Sequence, residues 1–244
     1  VLSSSQLKDF AERGFLLLPQ AVPPELVTAA SQFIDETIER DPPGAGVRGP
    51  HFYFPETDKA PSLLNVLTET PVFSTAEALT GPGTLDVPWQ VQIALNIPPF
   101  PHRPGSHHLD GGSPCEPDGR PGTFTMLVGV LMSGQLSDDE GNLWVWPGTH
   151  LTHAEYFRGH GPDAFFEAAG YPPITLPEPE RIHGRAGDVL LAHYLLGHNI
   201  GGNTSDAVRR ALYFRVKRSG HDPRWREFLQ DPWLDYDPVR LIAG

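Results

Sequence analysis

The chain has 244 residues, 39% of them hydrophobic, and a formal net charge of −12 from 18 Lys plus Arg against 30 Asp plus Glu. That length fits one larger all-β domain (1–244) able to bury its core unaided, and the single cysteine, Cys115, has no second thiol to pair with. The acidic balance excludes a nucleic-acid partner, which needs a basic patch, and no apolar run is long enough to span a bilayer. With no secretory or peroxisomal signal visible, the expectation is a soluble cytoplasmic protein, a monomer or homodimer. An excess of Arg over Lys fits a bacterial source.

The 25 glycines and 27 prolines favour turns over long helices. Residues 3–13 read as a helix, with serines to cap it, Leu7, Phe10 and Ala11 on one face and Gly14 as the stop. Residues 15–19 read as a short buried strand, and Pro23-Pro24 opens a second helix that ends at Asp41-Pro42-Pro43-Gly44. Residues 44–57 read as loop. Their aromatic cluster, His51 to Phe54, is expected to plug the open end of a barrel, with a wall of the substrate pocket as the alternative. Residues 61–79 read as one or two helices, completing an N-terminal helical part over 3–80.

From residue 84 to 217 the pattern is that of a β core. In residues 91–97 the odd positions are apolar and the even positions Gln92, Ala94 and Asn96 are polar or small. An asparagine inside a strand needs partners for its amide, so Asn96 either serves the site or anchors a loop. Residues 98–105 and 111–122 are Pro/Gly-rich loops, the usual mouth of a site, and make His102, Arg103 and His107 candidates for substrate contact, although each taken singly reads more readily as a solvated loop residue. Residues 123–132 and 142–147 read as strands. Trp144 and Trp146 share a face of the second as core, although Trp146 could close over a substrate.

His150 and His153 belong to a Pro-Gly-Thr-His turn and are not taken as metal ligands. Residues 154–186 read as an irregular insertion with a short helix near 164–169, placed to cover the barrel. Residues 188–195 form a strand that delivers His198 just beyond its end. In the last core strand Arg209, Ala211 and Tyr213 share one face and Leu212, Phe214 and Val216 the other. The second set is the better packing face, so Arg209 points inward, where a guanidinium could grip a carboxylate bidentately. A helix over 223–229, capped by Asp222, and a docking tail with Trp233 and Tyr236 complete the C-terminal part over 222–244.

The chemistry centres on Gly105-Ser106-His107-His108-Leu109-Asp110. On a strand, His108 and Asp110 would face the same way and offer a nitrogen and an oxygen to one metal. The third ligand must come from another strand. His198 is the candidate, with His193 its competitor from an apolar strand that suits a packed histidine better. Two histidines and one carboxylate on one face of a metal is the ligand set of non-haem Fe(II) oxygenases.

Several stretches resemble the phytanoyl-CoA dioxygenase family of Fe(II)/2-oxoglutarate oxygenases. They are Glu12 to Pro19 (ERGFLLLP), Gln92 to Pro99 (QIALNIPP), the His-x-Asp, Gly141 to His150 (GNLWVWPGTH), Gly187 to Leu190 (GDVL) and His198 to Leu212, in the family's order. The resemblance implies a double-stranded β-helix, a jelly-roll or cupin-like all-β core with flanking helices. It implies Fe(II) on His108, Asp110 and His198, with 2-oxoglutarate chelating the metal, its far carboxylate on Arg209, and Gln92 and Asn96 on the cosubstrate-lining face. O2 is the remaining reactant, and the products are succinate, CO2 and a small molecule oxidised at an unactivated C–H bond. Related halogenases lack the carboxylate, so Asp110 points to hydroxylation or another oxidation.

The sequence departs from the family pattern at Ile200, where a serine that helps bind 2-oxoglutarate usually stands, and at Gly129, where a tryptophan often sits. Three further readings stay open. One is a redox-inactive metal-binding barrel, which has no need of Arg209. Another is a different cupin-type metalloenzyme, with His193 or His107 also at the metal. The last is a purely structural module.

Overall fold

The computed structural model describes residues 2–112 and 115–243. Ser3 caps α1 (Ser4–Arg13) in a reciprocal capping box with Gln6, and Gly14, at φ +82°, turns the chain into β1 (Phe15–Leu18). α2 (Pro24–Arg40) starts on its prolines and buries Ala30, Ile34 and Thr37. β2 (Gly49–Tyr53), α3 (Pro61–Thr68), α4 (Pro71–Thr80) and β3 (Gln92–Ile97) follow. The second half runs β4 (Met126–Leu131), β5 (Leu143–Val145), α5 (Thr149–His160), α6 (Ala164–Glu167), β6 (Glu180–Arg181), β7 (Val189–His193), β8 (His198–Ile200), β9 (Arg209–Val216), α7 (Trp225–Gln230) and α8 (Asp237–Ala243).

The strands form two antiparallel sheets, β1-β7-β4-β9-β3-β2 and β6-β5-β8, which make the double-stranded β-helix that the sequence suggests. Helices α1 to α4 and α8 pack together, and one hydrophobic cluster runs from Leu2 to Val239. Alternation along β9 divides labour as expected. Leu212, Phe214 and Val216 are fully buried, while Arg209, Tyr213 and Arg215 line a cavity on the other side.

Four expectations are corrected. Residues 49–53 are not loop but the edge strand β2, paired with β3 so that Phe52 lies opposite Ala94. Residues 149–160 are the helix α5 rather than a turn and irregular chain. Asp222 does not cap the next helix. It begins a short 3-10 turn, and its carboxylate takes Lys217 at 2.8 Å and Arg120 at 2.9 Å instead. The tail carries a further helix, α8, which the sequence reading treats only as a docking segment. Of the loop expected over 111–122, residues 113 and 114 lie outside the described residues.

Candidate metal centre and cavity

Residues 105–110 are not a regular strand. His108 makes a lone bridge to β8, its N–H donating to the His198 carbonyl at 2.9 Å and the His198 N–H returning to His108 O at 3.3 Å. That one pairing sets the imidazoles side by side, with ring centroids 4.5 Å apart. Asp110 Oδ1 lies 3.5 Å from His108 Nε2 and 3.9 Å from His198 Nε2. Ligand atoms of the three residues fall within 4.8 Å of one another. Metal–donor bonds of about 2.1 Å place neighbouring donors ~3 Å apart, so small side-chain adjustments suffice to close on one ion.

The surroundings prepare these donors. His198 Nδ1–H donates to Leu196 O at 3.0 Å, which leaves Nε2 with its lone pair toward Asp110. Burial, reinforced by His108, lowers the His198 pKa to about 4, so the ring is neutral at pH 7. Burial would raise the Asp110 pKa. The Arg215 guanidinium and the two histidines outweigh it and hold the carboxyl well below the usual carboxylate range. Tyr194 Oη fixes the backbone beneath, donating to Asp110 O at 2.9 Å.

These residues open into a cavity of about 360 Å³ between the sheets, whose polar lining is Gln92, His108, Asp110, His198, Arg209, Tyr213 and Arg215. Its apolar wall comes from Pro50, Phe52 and Phe54 on one side and Leu127, Leu143 and Ile200 on the other. The aromatic cluster therefore splits by strand alternation. Phe52 and Phe54 are exposed along the cavity and do not plug a barrel end. Arg209 is only 2% exposed, and its Nε donates to Gly141 O at 2.7 Å and its Nη1 to Ala94 O at 3.4 Å. Those bonds direct the guanidinium of Arg209, which lines the cavity.

Other sequence candidates lie elsewhere. Asn96 is fully buried, and its Nδ2 holds Gly201 O at 2.8 Å, which is the loop-anchoring alternative. His107 faces away from the cavity, bonded Nε2 to Nε2 with His153 at 2.7 Å and packed against Trp146, which is itself buried. Arg103 pairs with Asp139 at 3.1 Å on the surface, in a depression shared with His102. His193 is a packed core histidine, stacked on Phe228 and Tyr236. Residues 170 and 171 close on the site from the expected covering segment: Gly170 O accepts from Leu109 N–H at 2.7 Å, and the Tyr171 ring lies 6.2 Å from that of His108.

Sequence reasoning missed Arg215. The signal was present, since extending the inward series 209, 211, 213 by two residues reaches it.

Residues 99–211 match the sequence model of the family described as phytanoyl-CoA dioxygenase (PhyH), a span holding His108, Asp110, His198 and Arg209. No curated protein matches the chain.

Among solved structures, the non-haem α-ketoglutarate-dependent carbocyclase SnoK of nogalamycin biosynthesis is similar with a TM-score of 0.66 at 24% identity, over 91% of each chain. HygX from Streptomyces hygroscopicus, solved with nickel and 2-oxoglutarate, has a TM-score of 0.62 at 18% identity, over 90% of this chain and 88% of its own. The α-ketoglutarate-dependent epimerase SnoN of nogalamycin biosynthesis has a TM-score of 0.57 at 19% identity, over 88% and 85%. At these identities the likeness establishes a shared fold.

Of the two departures from the phytanoyl-CoA dioxygenase pattern, Ile200 lines the cavity and Gly129 lies behind Tyr213, which does. Ile200 adds apolar surface beside His198, and Gly129 leaves room for Tyr213, whose Cε1 would stand 2.8 Å from a Cβ at 129.

Proposed function

We propose that this protein is an Fe(II)- and 2-oxoglutarate-dependent oxygenase acting on a small molecule. The observation that carries the reading is the convergence of His108, Asp110 and His198 at one wall of a cavity whose floor holds the buried Arg209. Fe(II) would sit on the three converging donors, and Arg209 would take the far carboxylate of 2-oxoglutarate as a charge-assisted pair. When bound, the metal with 2-oxoglutarate and O2 supplies the oxidation: the oxo acid ends as succinate and CO2, and one substrate C–H bond is oxidised.

The protein's part is geometric. Arg209 orients the cosubstrate from a fixed position, because two of its nitrogens are already held by Gly141 and Ala94 carbonyls. Phe52, Phe54, Leu127, Leu143 and Ile200 give the cavity an apolar wall on which a substrate carbon can rest close to the donors. With a metal bound, Asp110 would occupy the ligand position that a halide needs, which favours an oxidation without halogen transfer.

Hydroxylation is the simplest outcome of C–H oxidation. Cyclisation and epimerisation are the second reading, favoured by SnoK and SnoN, whose names record those outcomes on this fold. The test is anaerobic addition of Fe(II) and 2-oxoglutarate, following the visible metal-to-ligand charge-transfer band in wild type, Asp110→Ala and Arg209→Ala. A wild-type band that weakens in both variants is expected. Folded wild-type protein without a band would sink the oxygenase reading and leave a binding barrel in its place.

A further inference from the structure

Asp110 presents two oxygens, and the structure uses them differently. Oδ1 faces the His108 and His198 Nε2 atoms at 3.5 and 3.9 Å. Oδ2 faces away from them and takes two donors from one side chain, Arg215 Nε at 3.1 Å and Arg215 Nη2 at 2.9 Å. Arg215 is placed for this by β9, two residues beyond Tyr213 on the cavity face and opposite Leu127 of β4. Its guanidinium also sits 5.8 Å from the Phe124 ring centroid, an apolar support for the planar group.

We propose that Arg215 is a positioning residue that restricts Asp110 to one-oxygen ligation of the metal. The inference rests on the oxygenase reading above. A carboxylate free to rotate can chelate an ion through both oxygens, consuming a coordination position that cosubstrate or O2 needs. Here chelation would require Oδ2 to leave two charge-assisted hydrogen bonds in a largely enclosed site, where the Asp110 side chain is 15% exposed. With the Asp110 backbone also held by Tyr194, the residue is fixed at both ends.

Arg215 also lines a second cavity, of about 130 Å³, with Trp89, Gln92, Glu116 and Lys217, so the same guanidinium borders both chambers. Metal affinity alone is a poor probe of its role. Removing Arg215 takes a positive charge away from the cation site but frees the carboxylate, and the two effects oppose each other.

Carboxylate denticity separates them. Redox-inert Zn(II) is titrated into protein labelled with 13C-aspartate, and metal-loaded minus apo infrared difference spectra are compared for wild type, Arg215→Lys and Arg215→Met, with Asp110→Asn identifying the relevant band. Wild type is expected to show the wide antisymmetric–symmetric carboxylate splitting of one-oxygen ligation. Arg215→Met is expected to show the narrow splitting of two-oxygen ligation, and Arg215→Lys, which keeps one charged donor, to retain most of the wide form. An unchanged wide splitting in Arg215→Met would overturn the proposal. So would a narrow splitting in the wild type. Should Arg215→Met fail to fold, Arg215→Gln replaces it and is read in the same way. If wild type binds no metal, the oxygenase reading falls and this inference with it, whereas a metal-bound wild type with the wrong splitting removes the inference alone.

Discussion

At the scale of single residues, the cavity depends on small groups as much as on ligands. Gly141 has φ +80°, and a Cβ there would stand 2.8 Å from Arg209 Cβ and 3.1 Å from Asn96 Nδ2, while its carbonyl accepts from Arg209 Nε at 2.7 Å. Gly141→Ala is therefore expected to displace Arg209. The 2-oxoglutarate concentration giving half the charge-transfer band should rise at least ~10-fold, the effect of losing about 1.4 kcal/mol, with Fe(II) binding little changed. An unaltered midpoint would show that Arg209 does not need this support. Gly129 plays the matching role for Tyr213. In Gly129→Ala the ring must yield by several tenths of an ångström, and the expected sign is a change in substrate preference or coupling rather than in iron affinity.

At the scale of elements, legibility followed how cleanly each pattern displays its environment. β3 and β9 alternate strictly and were readable, including the inward direction of Arg209. β2 was not, because an edge strand beginning Gly49-Pro50 carries turn residues and leaves Pro50 and Phe52 exposed. α5 hid for the opposite reason: its buried face includes Thr149, His150 and His153, polar residues that erase the apolar stripe a helix is recognised by. The His108–Asp110 pair was found on a strand argument although no strand is there. A single bridge to β8 does the aligning, which spacing alone does not encode.

The C-terminal segment shows the same concealment, since it docks through a charge. Asp235 is fully buried and accepts from Thr125 Oγ1 at 2.7 Å, His221 Nδ1 at 2.6 Å and Arg224 Nη2 at 3.0 Å, while Tyr236 Oη donates to Thr125 O at 2.6 Å. Burial opposes its ionisation, but His221, Thr125 and Arg224 prevail and the pKa is lowered. Asp235→Ala strands those donors and should cost about 3–5 kcal/mol in chemical unfolding. A loss under ~1 kcal/mol would mean that the tail is held by its apolar contacts alone.

At the scale of the whole molecule, buried neutral histidines tie metal-site geometry to folding. The turn between β7 and β8 leads directly into His198 and is clamped from two sides. His193 accepts the Leu195 N–H on Nδ1 at 2.9 Å and donates from Nε2 to Pro232 O at 2.7 Å. His153 donates from Nδ1 to Leu195 O at 2.7 Å, and its Nε2 accepts from His107 Nε2–H at 2.7 Å. In each ring one nitrogen must stay unprotonated to accept, and burial lowers both the His153 and the His193 pKa to about 3. The unfolded chain binds these protons near pH 6.5, whereas the folded one does not until about pH 3. Stability is thus full above pH 6.5 and falls as the pH drops toward 3, by ~2 kcal/mol per histidine at pH 5. Urea unfolding of metal-free protein at pH 7, 6 and 5 should show that slope, and His193→Gln, which can still accept and donate, should flatten it by about one proton. An equal slope in wild type and variant would place the acid sensitivity elsewhere, and His153→Gln provides the independent check. Because both rings hold Leu195, acidification should also loosen the turn. Hydrogen exchange at residues 195–198 is expected to quicken before the β4–β9 ladder does, since the ladder contains no residue that must lose an acceptor.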